Sequence, residues 1–296
     1  MASIIETNKL TKRYGQKAAL DELDLAVEAG EVLGYLGPNG AGKTTTIRLL
    51  LGLLQPTSGQ ATIFGKDVTR DAAELHQQIA YVPGETSYWP NLTGAETLRF
   101  LANLHGSTDL AYQKELIAKF EFDPNKKVRA YSKGNRQKIA LIAALSTRAE
   151  LLIFDEPTSG LDPVMAKVFR DEVLAAKHAG QTTFLSSHML EEVEELCDRV
   201  AVLKAGKLVE LGTLEELRHL SAVTVEATFP GTPPDLQHVK SVSHIETHGH
   251  FLRCNVNGPI DELLAVVSKA KPLSFLSHKP TLEELFLALY EPKEAQ

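Results

Sequence analysis

The sequence predicts an α/β protein, a three-layer domain with a mostly parallel sheet followed by a small α+β domain. Three observations carry this expectation. Short strand-like runs alternate with helical periods from about residue 23 to residue 203, the pattern of helices covering both faces of a parallel sheet. Residues 151–154 form a continuous apolar run, the mark of a strand buried on both faces. After about Ala222 the rhythm changes to strands with few helices, which places the domain boundary there. The expected domains are therefore 1–221 and 222–296.

Each element has its own warrant. Leu23, Leu25 and Val27 alternate with polar neighbours, a half-buried strand. Residues 31–36 are rich in Val, Leu and Tyr and run into a glycine-rich turn. From Thr44 the period changes, and Ile47, Leu50, Leu51 and Leu54 share one helix face. Residues 61–64 read as a strand closed by Gly65. Residues 93–147 are helical, with breaks at Gly106 and at Asp123-Pro124. Beyond the apolar run come a helix at 163–179, a strand at 182–185, a helix at 190–197 and a strand at 200–203.

Thr213-Leu214-Glu215-Glu216 is a capping box that opens the next helix. The tail then reads strand, turn, two strands, helix, strand, with Pro230 to Pro234 in a loop. It ends in a helix opened by a second box, Thr281-Leu282-Glu283-Glu284. The two boxes are independent helix starts rather than a repeat.

Composition excludes several classes. Of 296 residues 43% are hydrophobic and 23% charged, which excludes a disordered or fibrous chain. The formal charge of −7 gives no overall basic footprint, so no nucleic-acid partner is expected. Two cysteines, Cys197 and Cys254, support neither a disulfide framework nor a cysteine-based zinc site, and both are expected in apolar surroundings. The first residues lack a signal-peptide pattern, and no apolar run approaches the roughly 18 residues that span a bilayer. A cytoplasmic location is the expectation.

Two motifs carry chemistry. Gly37-Pro38-Asn39-Gly40-Ala41-Gly42-Lys43-Thr44 fits G-x-x-x-x-G-K-[ST], with a strand before it and a helix, including Thr45, after it. Its glycines let backbone N–H groups curl around phosphate oxygens, and the helix N-terminus adds its positive dipole end. Lys43 brings a full charge to the β/γ phosphates and Thr44 a hydroxyl to Mg²⁺. Asp155-Glu156 follows the apolar run at the carboxyl end of a strand, where open α/β sheets bind ligands. Asp155 suits a Mg²⁺ shell. Glu156, the next residue of an extended backbone, is expected to point the other way and to polarise an attacking water.

With these residues in place, the sequence resembles the nucleotide-binding subunits of ABC transporters, from about Ser3 to Leu220. Tyr131-Ser132-Lys133-Gly134-Asn135-Arg136-Gln137 is similar to the family signature, Ser159-Gly160-Leu161-Asp162 to its dimer-contact loop, and Ser187-His188 to its switch histidine. Tyr14 matches the aromatic that stacks on adenine. The resemblance implies a P-loop NTPase core with an antiparallel β subdomain and a helical subdomain at about 86–147.

It also implies binding of ATP and Mg²⁺, and ATP hydrolysis. Two chains, most simply a homodimer, would close head-to-tail around two ATP molecules. Ser132 and Gly134 of one chain would then face the nucleotide held by the other, with Asp162 of the dimer-contact loop among the nucleotide-binding residues and His188 on the γ-phosphate. A separate polytopic membrane subunit is implied as partner, placing the chain at the cytoplasmic face of the membrane. The small C-terminal domain resembles that of drug- and antibiotic-export ATPases.

Two departures stand out. The signature usually reads Leu-Ser-Gly-Gly-Gln, and only Ser132 and Gly134 match it here. Gly84 stands where the family has a glutamine that reaches the metal, so Glu85 or a water is expected to fill that position. Tyr88 and Trp89, at the start of the helical insertion, form either a contact surface or a buried turn. His244, His248 and His250 are read as an exposed hairpin, with His248 and His250 on one strand face and no acid or cysteine completing a metal site. An ABC ATPase acting on the ribosome or on DNA is the alternative. The single phosphate loop counts against the first. The absence of a heptad run between Lys43 and Ser132 counts against the second.

Overall fold

The computed structural model describes residues 3–219, 223–256 and 258–278. The chain divides into two compact units, Met1–Leu211 and Gly212–Gln296.

The first unit opens with a long hairpin, β1 (Ser3–Tyr14) and β2 (Lys17–Glu28). The sequence reading recognised only the second half of β2. Register shifts at Thr7/Leu10 and at three further points in β1 break its period of two, so no alternation is legible there. Strand β3 (Val32–Leu36) leads into the glycine-rich turn and helix α1 (Lys43–Leu50). Strands β4 (Ser58–Ile63) and β5 (Lys66–Asp67) follow, then the single turn α2 (Ala72–Leu75) and strand β6 (Ile79–Val82). The helical insertion contains α3 (Gly94–His105), α4 (Leu110–Lys119) and α5 (Lys133–Leu145). Beyond it lie β7 (Leu151–Asp155), α6 (Pro163–His178), β8 (Thr182–Ser187), α7 (Leu190–Leu196), β9 (Arg199–Lys204) and β10 (Lys207–Thr213).

These strands form two sheets. One is antiparallel in the order β2-β1-β4-β5. The other has the order β10-β9-β3-β8-β7-β6, with β9, β3, β8, β7 and β6 mutually parallel.

The central strands explain where the chemistry sits. All five residues of β3 and of β7 are buried, as expected of strands covered on both faces. Alternation divides β7 between two cores. Leu151 and Ile153 pack with Ile47 and Leu50 of α1 and with β1 and β2. Leu152 and Phe154 pack with α5 and α6 through Ile139, Leu141 and Phe169. A period of two therefore puts Asp155, the last residue of β7, on the α1 side.

The second unit contains α8 (Leu214–His219), opened by a capping box in which Thr213 Oγ1 accepts from the Glu216 N–H and a Glu216 carboxylate oxygen accepts from the Thr213 N–H. Four antiparallel strands follow, β11 (Val223–Thr228), β12 (Val242–His248), β13 (Phe251–Val256) and β14 (Ser274–His278), with α9 (Asp261–Lys269) before the last. Their order is β12-β13-β11-β14. Val225, Leu252, Cys254, Leu263 and Val267 form their core. The helix expected at Thr281 lies outside the described residues.

His248 ends β12, whereas His250 lies in the turn before β13 with Nδ1 2.9 Å from the Gly231 carbonyl oxygen. The two do not share a strand face as expected. Gly249, with φ +61°, turns the chain between them.

Candidate functional site

The loop between β3 and α1 is shaped by its glycines. Gly42 is the N-cap of α1 with φ 116°, and a Cβ there would lie 2.5 Å from the carbonyl oxygen of Ala19 on β2. Only glycine fits that approach. No side chain caps α1, so the first-turn N–H groups, Thr45 among them, remain donors for an anion. Lys43 is buried, and its Nζ donates to the Gly37 carbonyl at 2.6 Å and more weakly to that of Pro38 at 3.4 Å. The lysine thus arches over the loop it belongs to. Asn39 and Gly40 are exposed, and Ala41 is buried with its N–H on the Pro38 carbonyl.

Asp155 is where the strand alternation puts it. It is buried, and Thr44 Oγ1 donates to its Oδ2 at 2.9 Å. Its Oδ1 accepts from Ser186 Oγ at 2.6 Å, Ser186 being its direct register partner on β8. Burial, and then the Asp155 charge, push the neighbouring Tyr81 hydroxyl up to about 12. Thr44 and Asp155 offer the hard oxygen ligands that Mg²⁺ takes, so the donor set fits that ion.

Glu156 departs from the sequence reading. It is not part of β7 and is not extended. Its φ is +49°, and its N–H is held by the Ser186 carbonyl at 3.0 Å. Strand alternation would have sent its side chain away from Asp155; instead Oε1 lies 3.5 Å from Lys43 Nζ and Oε2 lies 3.3 Å from His188 Nδ1. Lysine, carboxylate and histidine therefore form one chain of polar contacts. Non-glycine residues reach a positive φ only under local constraint, and no sequence pattern announces it.

The signature segment makes a second cluster. Ser132 is the N-cap of α5, its Oγ accepting from the Asn135 N–H at 3.2 Å. Tyr131 is buried, whereas Ser132 and Lys133 are exposed. A Cβ on Gly134 would lie 2.3 Å from the carbonyl oxygen of Gly160, so the helix tip and the 159–162 loop touch within one chain. Lys133 Nζ adds a donor bond to Ser159 Oγ at 2.8 Å. Asp162 caps α6, accepting from the Met165 N–H at 3.0 Å.

The remaining candidates are placed as follows. Tyr14 is 54% exposed at the end of β1, with Lys12 Nζ 5.4 Å from its ring centre. A Cβ on Gly84 would lie 3.1 Å from the Asp155 carbonyl oxygen, a tight approach to the end of β7. Glu85 beside it is exposed. Among the described residues no group of three His, Cys, Asp or Glu gathers as a metal site. Trp89 and Phe100 stand edge to face, 4.8 Å between ring centres, and with Pro90 and Leu92 line an apolar cavity of about 430 Å³. The structure thus favours the open-surface reading of Trp89.

The sequence compares closely with known proteins. The family described as "ABC transporter" matches residues 20–159. The bacitracin transport ATP-binding protein BcrA of Bacillus licheniformis is 41% identical, over 71% of this chain and 70% of that protein. The daunorubicin resistance ATP-binding protein DrrA3 of Streptomyces coeruleorubidus is 36% identical, over 94% of this chain and 93% of that one. The chain belongs to the ATP-binding subunits of ABC transporters. The linearmycin resistance ATP-binding protein LnrL of Bacillus subtilis (strain 168) is 31% identical over 97% of this chain and 98% of its own. A solved ATP-binding subunit of an ABC transporter superposes with a TM-score of 0.69 at 30% identity, covering 74% of this chain and 93% of that one. This ABC subunit is accordingly an ATP-binding ATPase related to drug- and antibiotic-export ATPases. Among the described residues no helix is long and apolar enough to cross a membrane, and membership of the family implies a partnering membrane subunit.

Proposed function

We propose that two copies of this subunit close head-to-tail around two ATP molecules and drive export of a drug-like or antibiotic compound through a polytopic membrane subunit. The observation that carries this reading is the division of the candidate site residues into two clusters. Thr44 is bonded to Asp155, and Lys43 and His188 both meet Glu156, while the Ser132 tip of α5 is exposed. An isologous pair brings the tip of each chain to the phosphate loop of the other.

Within each composite site the backbone from Gly37 to Gly42, with the first-turn N–H groups at Lys43, Thr44 and Thr45, cradles the phosphates. Lys43 then leaves its loop carbonyls for the γ-phosphate. Tyr14 stacks on the adenine. Thr44 and Asp155 would hold Mg²⁺, with Glu85 or a water in place of the glutamine absent at Gly84, and the ion would supply positive charge against the phosphates. Glu156 accepts a proton from the attacking water as its oxygen bonds to the γ-phosphorus and the bond to the β-phosphate oxygen breaks. His188, Ser132 and Gly134 donate to the γ-phosphate, and Asp162 orders the loop beside them. Loss of phosphate removes those bonds and the pair reopens.

The chain acts at the cytoplasmic face of the membrane, with no nucleic acid involved. Residues 1–221 form the ATPase domain, about 86–147 its helical subdomain, and 222–296 an accessory domain. The Trp89–Phe100 surface of the helical subdomain meets the membrane subunit, since exposed aromatic surface of this kind marks interaction sites. Export rather than import is supported by relatives named for bacitracin transport and for daunorubicin and linearmycin resistance. Expression of the subunit with its membrane partner in a drug-sensitive host tests the reading. Increased resistance that depends on Lys43 is expected. Lysine-dependent uptake of the compound instead would reverse the direction.

A further inference from the structure

We propose that Glu192, on α7, is a positioning residue for ATP hydrolysis that holds the His188 loop in register with Glu156. The inference rests on the role assigned to His188 above and extends it to a residue outside the phosphate site.

The end of β8 explains the arrangement. Ser186 and Ser187 are consecutive strand residues and therefore face opposite sides of the sheet. Ser186 belongs to the Asp155 side, where its hydroxyl binds that carboxylate. Ser187 faces α7, where its Oγ donates to Glu192 Oε2 at 2.6 Å, with both residues 2% exposed. The same Ser187 Oγ accepts from the Met189 N–H at 3.0 Å. His188 lies between these two anchored residues. A buried carboxylate, a serine hydroxyl and a backbone N–H thus form a relay whose last bond closes the loop bearing the histidine.

A second loop meets the same residues. Thr158 follows Glu156 by two positions, and its Oγ1 donates to Met189 Sδ at 3.8 Å. The turn after the general base and the loop after β8 therefore converge above α7. The helix is brought close by Gly34 of β3, where a Cβ would lie 2.9 Å from both Val193 and Cys197. His188, by contrast, has a side chain 55% exposed, with its Nδ1 3.3 Å from Glu156 Oε2. Its orientation depends on its backbone, and its backbone depends on Ser187 and Met189.

An apolar side chain at position 192 would fill the space without the desolvation cost. Glu192 is 2% exposed, and burying a carboxylate is a costly arrangement for a residue serving packing alone. Burial raises its carboxyl above the ordinary value, against the lowering effects of the Ser187 and Thr158 hydroxyls and the Arg170 and His188 charges. A glutamine keeps the carbonyl oxygen that Ser187 needs, while an alanine removes it.

The test compares Glu192→Ala and Glu192→Gln in the full chain, reading ATP turnover and ADP affinity separately, with each change also made on a His188→Ala background. Glu192→Ala is expected to lower kcat by about tenfold to a hundredfold, the scale of an ångström-level misplacement of a reacting group. ADP affinity, set by the phosphate loop, stays at the level of the unaltered chain. Glu192→Gln restores kcat, and Glu192→Ala adds no further loss to His188→Ala. The proposal is overturned if Glu192→Ala turns over normally, if Gln is as impaired as Ala, or if the two losses multiply. Parallel loss of kcat and ADP affinity would mean a purely structural residue and would also overturn it. Normal turnover of His188→Ala alone would instead remove the histidine's assigned role, and the positioning role with it.

Discussion

The phosphate loop and the signature tip are both anion-binding surfaces built at helix N-termini, yet one chain finishes them to different degrees. At the start of α1, Lys43 and Thr44 are tied to loop carbonyls, to Asp155 and to Glu156, and Lys43 and Asp155 are buried. At the start of α5, Ser132 and Lys133 are exposed, no acidic residue occupies the first turn, and Lys133 and Arg136 add positive charge at the positive end of the helix. A cation in that position costs a helix about 0.3–1 kcal/mol. The first surface is tied to carboxylates of its own chain; the second leaves Ser132 and Lys133 exposed, with Lys133 on Ser159 and Arg136 on the Tyr131 carbonyl. The contrast is what the proposed two-chain site requires: one half pre-organised and one half completed by an anion held elsewhere.

The largest effect should come from the organised half. Glu156→Gln keeps the shape of the side chain but removes the base, so turnover should fall by about 10²–10⁴-fold, the range of general-base contributions. ATP binding should persist, since Lys43 is also released from its ion pair. Steady-state phosphate release together with equilibrium nucleotide binding checks both parts. Undiminished hydrolysis would remove the base from Glu156.

Next in size is Gly42→Ala. With φ 116° and the Ala19 carbonyl 2.5 Å from the added carbon, the loop must shift, at a cost of about 1–3 kcal/mol. A lower melting temperature and weakened ATP binding are expected together. Wild-type affinity would mean that the loop is less tightly held by β2 than the geometry indicates.

Much of this contrast was legible in the sequence, for physical reasons particular to each residue. The apolar run before Asp155 marked a strand buried on both faces and placed the carboxylate at that strand's carboxyl end. The glycines, lysine and threonine of the loop were legible because phosphate binding demands those residue types in that order. Ser132 was legible through its place in a segment similar to the family signature, its capping role only from the structure.

Three features were not legible. β1 hid behind its register shifts. The direction of Glu156 follows from a backbone dihedral, φ +49°, that long-range packing imposes. The Ser187–Glu192 bond joins residues whose neighbourhood exists only once β8 and α7 have met. The nearest signal for it was an acid two residues into a short helix, which reads as an ordinary first-turn carboxylate.

A smaller effect tests the exposed half. Ser132→Ala removes the Asn135 cap and should destabilise the fold by about 0.5–2 kcal/mol. It should weaken ATP-dependent pairing of chains more than nucleotide binding by a single chain. Gel filtration with and without ATP separates the two, and equal losses would place Ser132 in the fold alone.

The smallest effect is one of pH. The Glu192 carboxyl is raised from its ordinary 4.5 by burial. Its stabilising contribution is therefore full below that value and is lost as pH rises through the raised one. Denaturant unfolding of Glu192→Gln across that window should lack this decline. An identical pH slope in both proteins would mean that Glu192 ionises without cost.

Where Ser132 lies relative to the triphosphate in the ATP-loaded assembly decides between one chain's site and two. The structure of Glu156→Gln with ATP and Mg²⁺ measures it directly. Ser132 Oγ is expected within hydrogen-bond distance of a γ-phosphate oxygen whose phosphate rests on Lys43 of a second copy. A closed, ATP-loaded pair in which every Ser132 lies remote from both triphosphates would contradict the two-chain site.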